Sequence, residues 1–301
     1  MFFILGFNFV LLGFKLEVSN YHELFYSNGK VFGLLADIVL TLFLMGSFVI
    51  MLSGSKEILS QLLPLDKNIA LLLTILIIFI INYYGLEIIL AVNSILIPLL
   101  ITVVFLLGLF FINFDFFLQT NYVSTDLTSF MSALRYSGYN LILSLVILLP
   151  LTESNTKSDV VLGLFFGSGL LIIIAGVITL LLLQNYALIL SSEVPMLKLL
   201  EFYSKELYLL YGFILWIAIL TTAICNLYGI TLRCNNLLEL NRKKTLLLIL
   251  IFGIISMNFS FSDWIEIIYQ ELGKLSLVLI AIIVIKNIKY SIFGGYTKNE
   301  K

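Results

Sequence analysis

Charge is scarce in this chain. Asp, Glu, Lys and Arg make up 12% of its 301 residues, while 61% are hydrophobic, and the mean hydropathy is +1.11. A soluble protein of this length needs far more polar surface, so the composition excludes that class and predicts a polytopic integral membrane protein. A basic patch is lacking too. The net charge is -1 and the bases sit at the ends of apolar runs, which leaves no electrostatic footprint for nucleic acid. Cysteine and histidine are too few to build a site. Cys225 and Cys234 fall on one expected helix and its exit, and His22 is the single histidine. Neither a disulfide framework nor a metal cluster is expected, and no cofactor. Residues 1–14 carry no basic start and no small-residue cleavage site, so no signal peptide is expected.

Long hydrophobic runs are what the chain has instead. A helix crossing a bilayer needs roughly 20 apolar residues. Residues 1–14 fall short of that and read as the end of a helix whose beginning is missing. Spans are then expected at 31–54, 69 to about 83, about 86–112, 130–150, 159–184, 207–232, 244 to about 260 and 272–285, nine in all with the first incomplete. Two connectors are long, 15–30 and 185–206. The apolar positions of the second, around Val194-Pro195-Met196-Leu197, point to a short helix lying against the bundle. Gly163, Gly167, Ser168 and Gly169 form a small-residue string, whose default meaning is close packing of helices.

The bases orient the chain. If the first helix exits to the cytoplasm, that side collects Lys15, Lys30, Lys157, Arg233, Arg242, Lys243, Lys244, Lys286, Lys289, Lys298 and Lys301. The outer side holds Lys56, Lys67, Lys198 and Lys205, with Arg135 and Lys274 near helix ends. Positive charge is retained inside, so a cytoplasmic C-terminus and an outward 113–129 loop are expected. In this frame one long connector lies inside and the other outside. With one more helix at the front, they occupy equivalent places in two five-helix halves of opposite topology, a recurring transporter plan.

One stretch departs from the Leu and Ile that suffice for a span. It is Ser132-Ala133-Leu134-Arg135-Tyr136-Ser137-Gly138-Tyr139-Asn140, opening the run 141–150. At about 1.5 Å per residue, Tyr139 and Asn140 lie roughly 15 Å along a helix starting near Phe130, close to the middle of a hydrocarbon core about 30 Å thick. Polar groups there are costly unless they face protein, water or a solute. Tyr136, Ser137, Gly138, Tyr139 and Asn140 therefore read as an unwound segment lining a solute site, since Gly138 permits non-helical backbone and open backbone is tolerated at a cavity. The alternative is an intact helix whose polar face bonds its neighbours. For Arg135, snorkelling to the interface is favoured over an anion anchor. Asn93 is expected to satisfy a neighbouring helix. Asp37 lies near a membrane end, with a proton relay as its minority reading. Glu87 fits a helix cap after the Gly85 turn. Thr222, with Ala218, Cys225, Asn226 and Gly229, reads by itself as a small-residue packing face.

Several strings together carry a resemblance. They are Leu44-Met45-Gly46 with 49–54, Val92-Asn93 with Pro98-Leu99-Leu100, 136–141 with 148–151, Val194-Pro195-Met196, and 221–229. In order and spacing the chain resembles the YkvI-like bacterial membrane proteins of the amino acid–polyamine–organocation superfamily, over nearly its whole length. The resemblance implies an all-α, polytopic membrane bundle of the LeuT-like inverted-repeat kind, a ten-helix plan minus the first. Residues 1–112 would be an incomplete first repeat, 130–286 the second and 287–301 a cytoplasmic tail of a single membrane domain. It further implies a cation-coupled secondary transporter in the bacterial plasma membrane, not an enzyme, moving an amino acid or related amine by alternating access. Thr221 and Thr222 fall where such carriers place two hydroxyls on sodium; a proton is the other coupling ion. In that family the first helix supplies solute and sodium contacts. Its absence here makes a non-transporting sensor or degenerate paralogue the second expectation. A membrane enzyme ranks below both, because the acids are scattered.

Overall fold

In a computed structural model, the described residues are 2–16, 21–26, 29–84, 87–113, 115–116, 126–238, 246–247, 250–251, 254 and 260–293. The expected span at 244–260, the centre of the 113–129 loop and most of the 287–301 tail lie largely outside them. All regular elements among them are helices: α1 Phe2–Leu16, α2 Tyr21–Tyr26, α3 Lys30–Leu62, α4 Lys67–Tyr84, α5 Glu87–Phe111, α6 Leu127–Ser154, α7 Lys157–Gln184, α8 Tyr186–Ile189, α9 Pro195–Tyr203, α10 Lys205–Leu238 and α11 Phe261–Phe293. Among the described residues, five helical stretches are long and apolar enough to cross a bilayer: Lys30–Leu62, Val92–Phe111, Lys157–Gln184, Lys205–Thr231 and Phe261–Ile288. Phe2–Leu16 and Lys67–Asn82 are apolar but shorter.

The chain packs as two compact units. The first comprises Met1–Phe43, Ser124–Leu171 and Ile267–Lys301; the second comprises Leu44–Val123 and Ile172–Glu266. Each draws on both halves of the expected repeat. The second unit is built on α10, which packs against α4, α5 and α9. Phe48, Leu52, Ile78, Ala223, Ile224 and Leu227 fill one core there. A second gathers Ile58, Val104, Leu107, Leu181, Leu197 and Leu200. The expected connector helix is present as α9, opened by Pro195 at its first turn, with Met196, Leu197, Leu199 and Leu200 turned inward. Pro at that position has no helical hydrogen bond to lose.

Several helices overrun their expected spans, most of all α11, which covers Phe261–Phe293 where 272–285 was expected; the overrun of α3 moves a charged pair. α3 runs on past Gly54 to Leu62, so Lys56 and Glu57 are helical, not in a loop. Tertiary contacts hold the extra turns. Ser55 lies within hydrogen-bonding distance of Thr74 at 3.1 Å and accepts the Trp216 indole N–H at 2.9 Å. Glu57 pairs with Lys67 at 2.7 Å.

In the first unit α1 lies along α6. A side chain at Gly13 would meet Thr152 and Leu149 at 3.0–3.1 Å, so this glycine lets the two helices close up. In lipid, helices associate through such packing and through polar contacts rather than through the hydrophobic effect. The polar contacts are here as well: Lys15 Nζ donates to Asn287 Oδ1 at 2.9 Å, and Asn287 Nδ2 donates to Asn8 Oδ1 at 2.9 Å. Buried Lys286 donates to the Leu24 carbonyl at 2.7 Å, fastening α2. Gly29, at φ 113°, makes the turn from α2 into α3, a backbone that side-chain-bearing residues rarely adopt.

Candidate functional site

The polar stretch occupies the middle of α6, which is helical without interruption from Leu127 to Ser154. The expected unwinding at Gly138 is therefore absent, for a packing reason. An added Cβ at Gly138 would stand 2.5 Å from Ser276 Oγ and 3.1 Å from Leu277. An added Cβ at Gly273 would stand 2.6 Å from Arg135 Cβ and 3.0 Å from the Arg135 carbonyl oxygen. α6 and α11 thus meet backbone to backbone, and glycine serves close approach instead of an opened helix.

The five expected site residues divide into two groups. Tyr139 is 1% exposed, its ring stacked on Phe43 at 5.1 Å and edge-on to Tyr269 at 5.0 Å. Its hydroxyl donates to the Phe43 carbonyl at 3.0 Å. Tyr139 and Gly138 are packing residues. Tyr136, by contrast, is 49% exposed, with Tyr269 the one aromatic ring against it among the described residues, at 4.9 Å. Its hydroxyl and that of Ser137 bond to nothing among the described residues. Among the described residues Asn140 donates to the carbonyl of Tyr136 in its own helix, at 2.8 Å, and its amide oxygen accepts no hydrogen bond. Arg135 forms no ion pair among the described residues, and its Nε is buried without a partner, unlike a side chain stretched wholly into water. Tyr269 and Phe43 were not legible as neighbours of this stretch; they reach it only through the fold.

Thr221 and Thr222 belong to the second unit. Thr221 is buried and Thr222 exposed, and both hydroxyls donate to the Ala218 carbonyl, at 3.0 and 2.8 Å. Each oxygen keeps its lone pairs, the kind of ligand a hard cation takes. Asn226, one turn on, donates to Ser47 Oγ at 2.8 Å and joins α10 to α3. Asp37 is buried and hydrogen-bonded to the Tyr26 side chain. Asn93 is part-exposed and bonds no neighbouring helix among the described residues. α5 does begin at Glu87, whose side chain lies outside the described part.

A groove of about 420 Å³ lies in the first unit where α6 turns into α7, lined by Leu148, Leu151, Asn155, Asp159 and, farther along, Gly163 and Gly167. The glycines of the small-residue string pack against no helix among the described residues, while Ser168 between them is buried. An added Cβ at Gly163, Gly167 or Gly169 would meet nothing within 4 Å among the described residues.

No family model matches the chain, and no solved structure matches it. Two proteins of Bacillus subtilis (strain 168) do. Over 292 residues, covering 95% of this chain and 83% of the relative, it is 25% identical to the uncharacterized membrane protein YkvI. Over 257 residues, covering 81% and 72%, it is 26% identical to the uncharacterized protein YyaD. The chain is a homologue of these two. With the five apolar helical stretches, the likeness to YkvI agrees with a helical membrane protein; it carries no statement of activity.

Proposed function

We propose that this chain is a secondary transporter of a small solute, an amino acid or related amine, working by alternating access in the plasma membrane with a cation as driving ion. One observation carries the reading. The middle of α6 presents Tyr136, Ser137 and Asn140 with polar atoms not used by any neighbouring helix among the described residues. α6 is not among the five strongly apolar stretches; at the mid-membrane depth expected for 130–150, such unspent polarity is tolerated where water or a solute meets it. In this reading Tyr136, Ser137 and Asn140 touch the solute, while Gly138 and Tyr139 hold α6 in place behind them. Thr221 and Thr222 are the proposed sodium hydroxyls. Each of the two long connectors holds a short helix, α2 and α9, which supports an inverted-repeat reading.

The test is uptake into proteoliposomes of radiolabelled amino acids and amines, under an inward sodium or proton gradient. Tyr136→Ala and Asn140→Ala should each abolish accumulation while unfolding with the wild-type midpoint. Unchanged uptake in both removes the solute site from α6. Saturable solute binding without any uptake would favour a membrane sensor.

A further inference from the structure

Among the described residues, two polar groups of α3, both in the second unit, have no hydrogen-bond or ion-pair partner, and they stand one helical turn apart. Ser53 is 1% exposed and Lys56 is 9% exposed. The Ser53 hydroxyl is buried with no hydrogen bond. Lys56 makes no hydrogen bond or ion pair among the described residues. Burial without pairing is costly for a hydroxyl, and such a group calls for an explanation; the Lys56 ammonium, one turn on along the same helix, is not sealed from solvent.

The acids nearby do not fill the gap. Glu57 acts on Lys56 through its field, but its oxygens are taken by Lys67 Nζ at 2.7 Å and Gln61 Nε2 at 3.1 Å. Glu193 acts likewise, and its oxygens accept the Ser262 backbone N–H at 2.9 Å and the Ser262 hydroxyl at 3.1 Å. Lys67 is the remaining charge on the same ground. Residues three apart on a helix have Cβ atoms about 5–6 Å from each other, and a helical side chain leans back over the preceding turn. One acceptor placed between the two groups satisfies both.

We propose that Ser53 and Lys56 bind a small monovalent anion, the ammonium supplying charge and the hydroxyl a second hydrogen bond. An ammonium has only donors, so the ligand must be an acceptor. The fields of Glu57 and Glu193 turn away a doubly charged one. A halide from solution and the carboxylate of a small solute share this chemistry. The site stands independently of the α6 reading.

The experiment is thermal unfolding of the full chain in detergent, near neutral pH and at constant ionic strength, titrated with sodium chloride, sodium acetate or sodium sulfate. Chloride or acetate should raise the midpoint saturably, since a ligand bound only by the native state stabilises it; sulfate should not. A response to chloride alone marks the halide source; a response to acetate marks the carboxylate. Lys56→Gln should lose the response. Ser53→Ala should need at least about tenfold more anion for half-saturation, the worth of one hydrogen bond to a charged group. Without anion it should be no less stable than the wild type, because it removes a hydroxyl that has no partner, and this keeps the test decisive if Lys56→Gln does not fold. The proposal is overturned by an equal anion response in Ser53→Ala and wild type, by sulfate matching the monovalent anions, or by no response in the wild type.

Discussion

Gly273→Ala should be the most damaging single methyl that α11 can receive. The new Cβ would sit 2.6 Å from Arg135 Cβ and 3.0 Å from the Arg135 carbonyl oxygen. Neither atom is the loose end of a side chain, so α6 and α11 must separate along the contact that sets the exposed face of Tyr136. Overpacking of this sort costs about 1–3 kcal/mol. Alanine recovers about 1 kcal/mol of helix propensity over glycine, so the net loss is about 0–2 kcal/mol, and the gap to a variant that gains propensity without the clash is the full overpacking cost. Gly163→Ala is the internal control, since its Cβ would meet nothing within 4 Å. It keeps the propensity gain and should be neutral or more stable by up to about 1 kcal/mol. Denaturant unfolding in mixed micelles measures both. Equal midpoints for the two variants would refute the backbone-to-backbone contact and, with it, the account of why α6 stays wound at Gly138.

Tyr139→Phe keeps the ring stack on Phe43 but leaves the Phe43 carbonyl without its donor; about 1 kcal/mol of stability should be lost by equilibrium unfolding. A double-mutant cycle on Ser47 and Asn226, bonded at 2.8 Å between α3 and α10, should return a coupling of about 0.6 kcal/mol, the usual scale for a hydrogen bond between helices in a membrane. Lys286→Met should release the Leu24 carbonyl and speed amide exchange in α2, while leaving exchange in α9 unchanged. The Thr128 hydroxyl on Asp126 holds that carboxyl below its ordinary range. A group whose folded value is depressed stabilises above its unfolded pKa and loses that contribution as pH falls through the folded one. Asp126→Asn should therefore flatten the acid limb of the stability–pH curve and converge with the wild type at its acid end.

Much of the architecture follows from local composition. Apolar runs of sufficient length can only be helices in a bilayer, because each backbone group must be bonded within its own segment. For that reason α4, α5, α7 and α10 stand close to where the runs of the chain place them, and the Pro195 segment folds as a short packed helix. The polar stretch of α6 was visible for the same reason: few residues other than Leu, Ile, Val and Phe interrupt such runs without cause.

What local composition cannot carry is which polar or small group is already used. Gly138 looked like a break point and is a contact, because Ser276 of α11 lies against it. Gly163 looked like a contact and stands open, because no described helix comes there. Tyr139 and Tyr136 are three residues apart on one helix; among the described residues the rings of Phe43 and Tyr269 close over the first, while that of Tyr269 alone reaches the second. Lys56 was expected past the end of the 31–54 span, on the outer side; α3 carries it within the helix at 9% exposure. In each case the deciding partner comes from a distant part of the chain. Hydrophobicity and periodicity are properties of neighbours in sequence and determine that a helix forms; the satisfaction of a hydroxyl, an amide or an ammonium is a property of neighbours in space, and only the tertiary structure decides it.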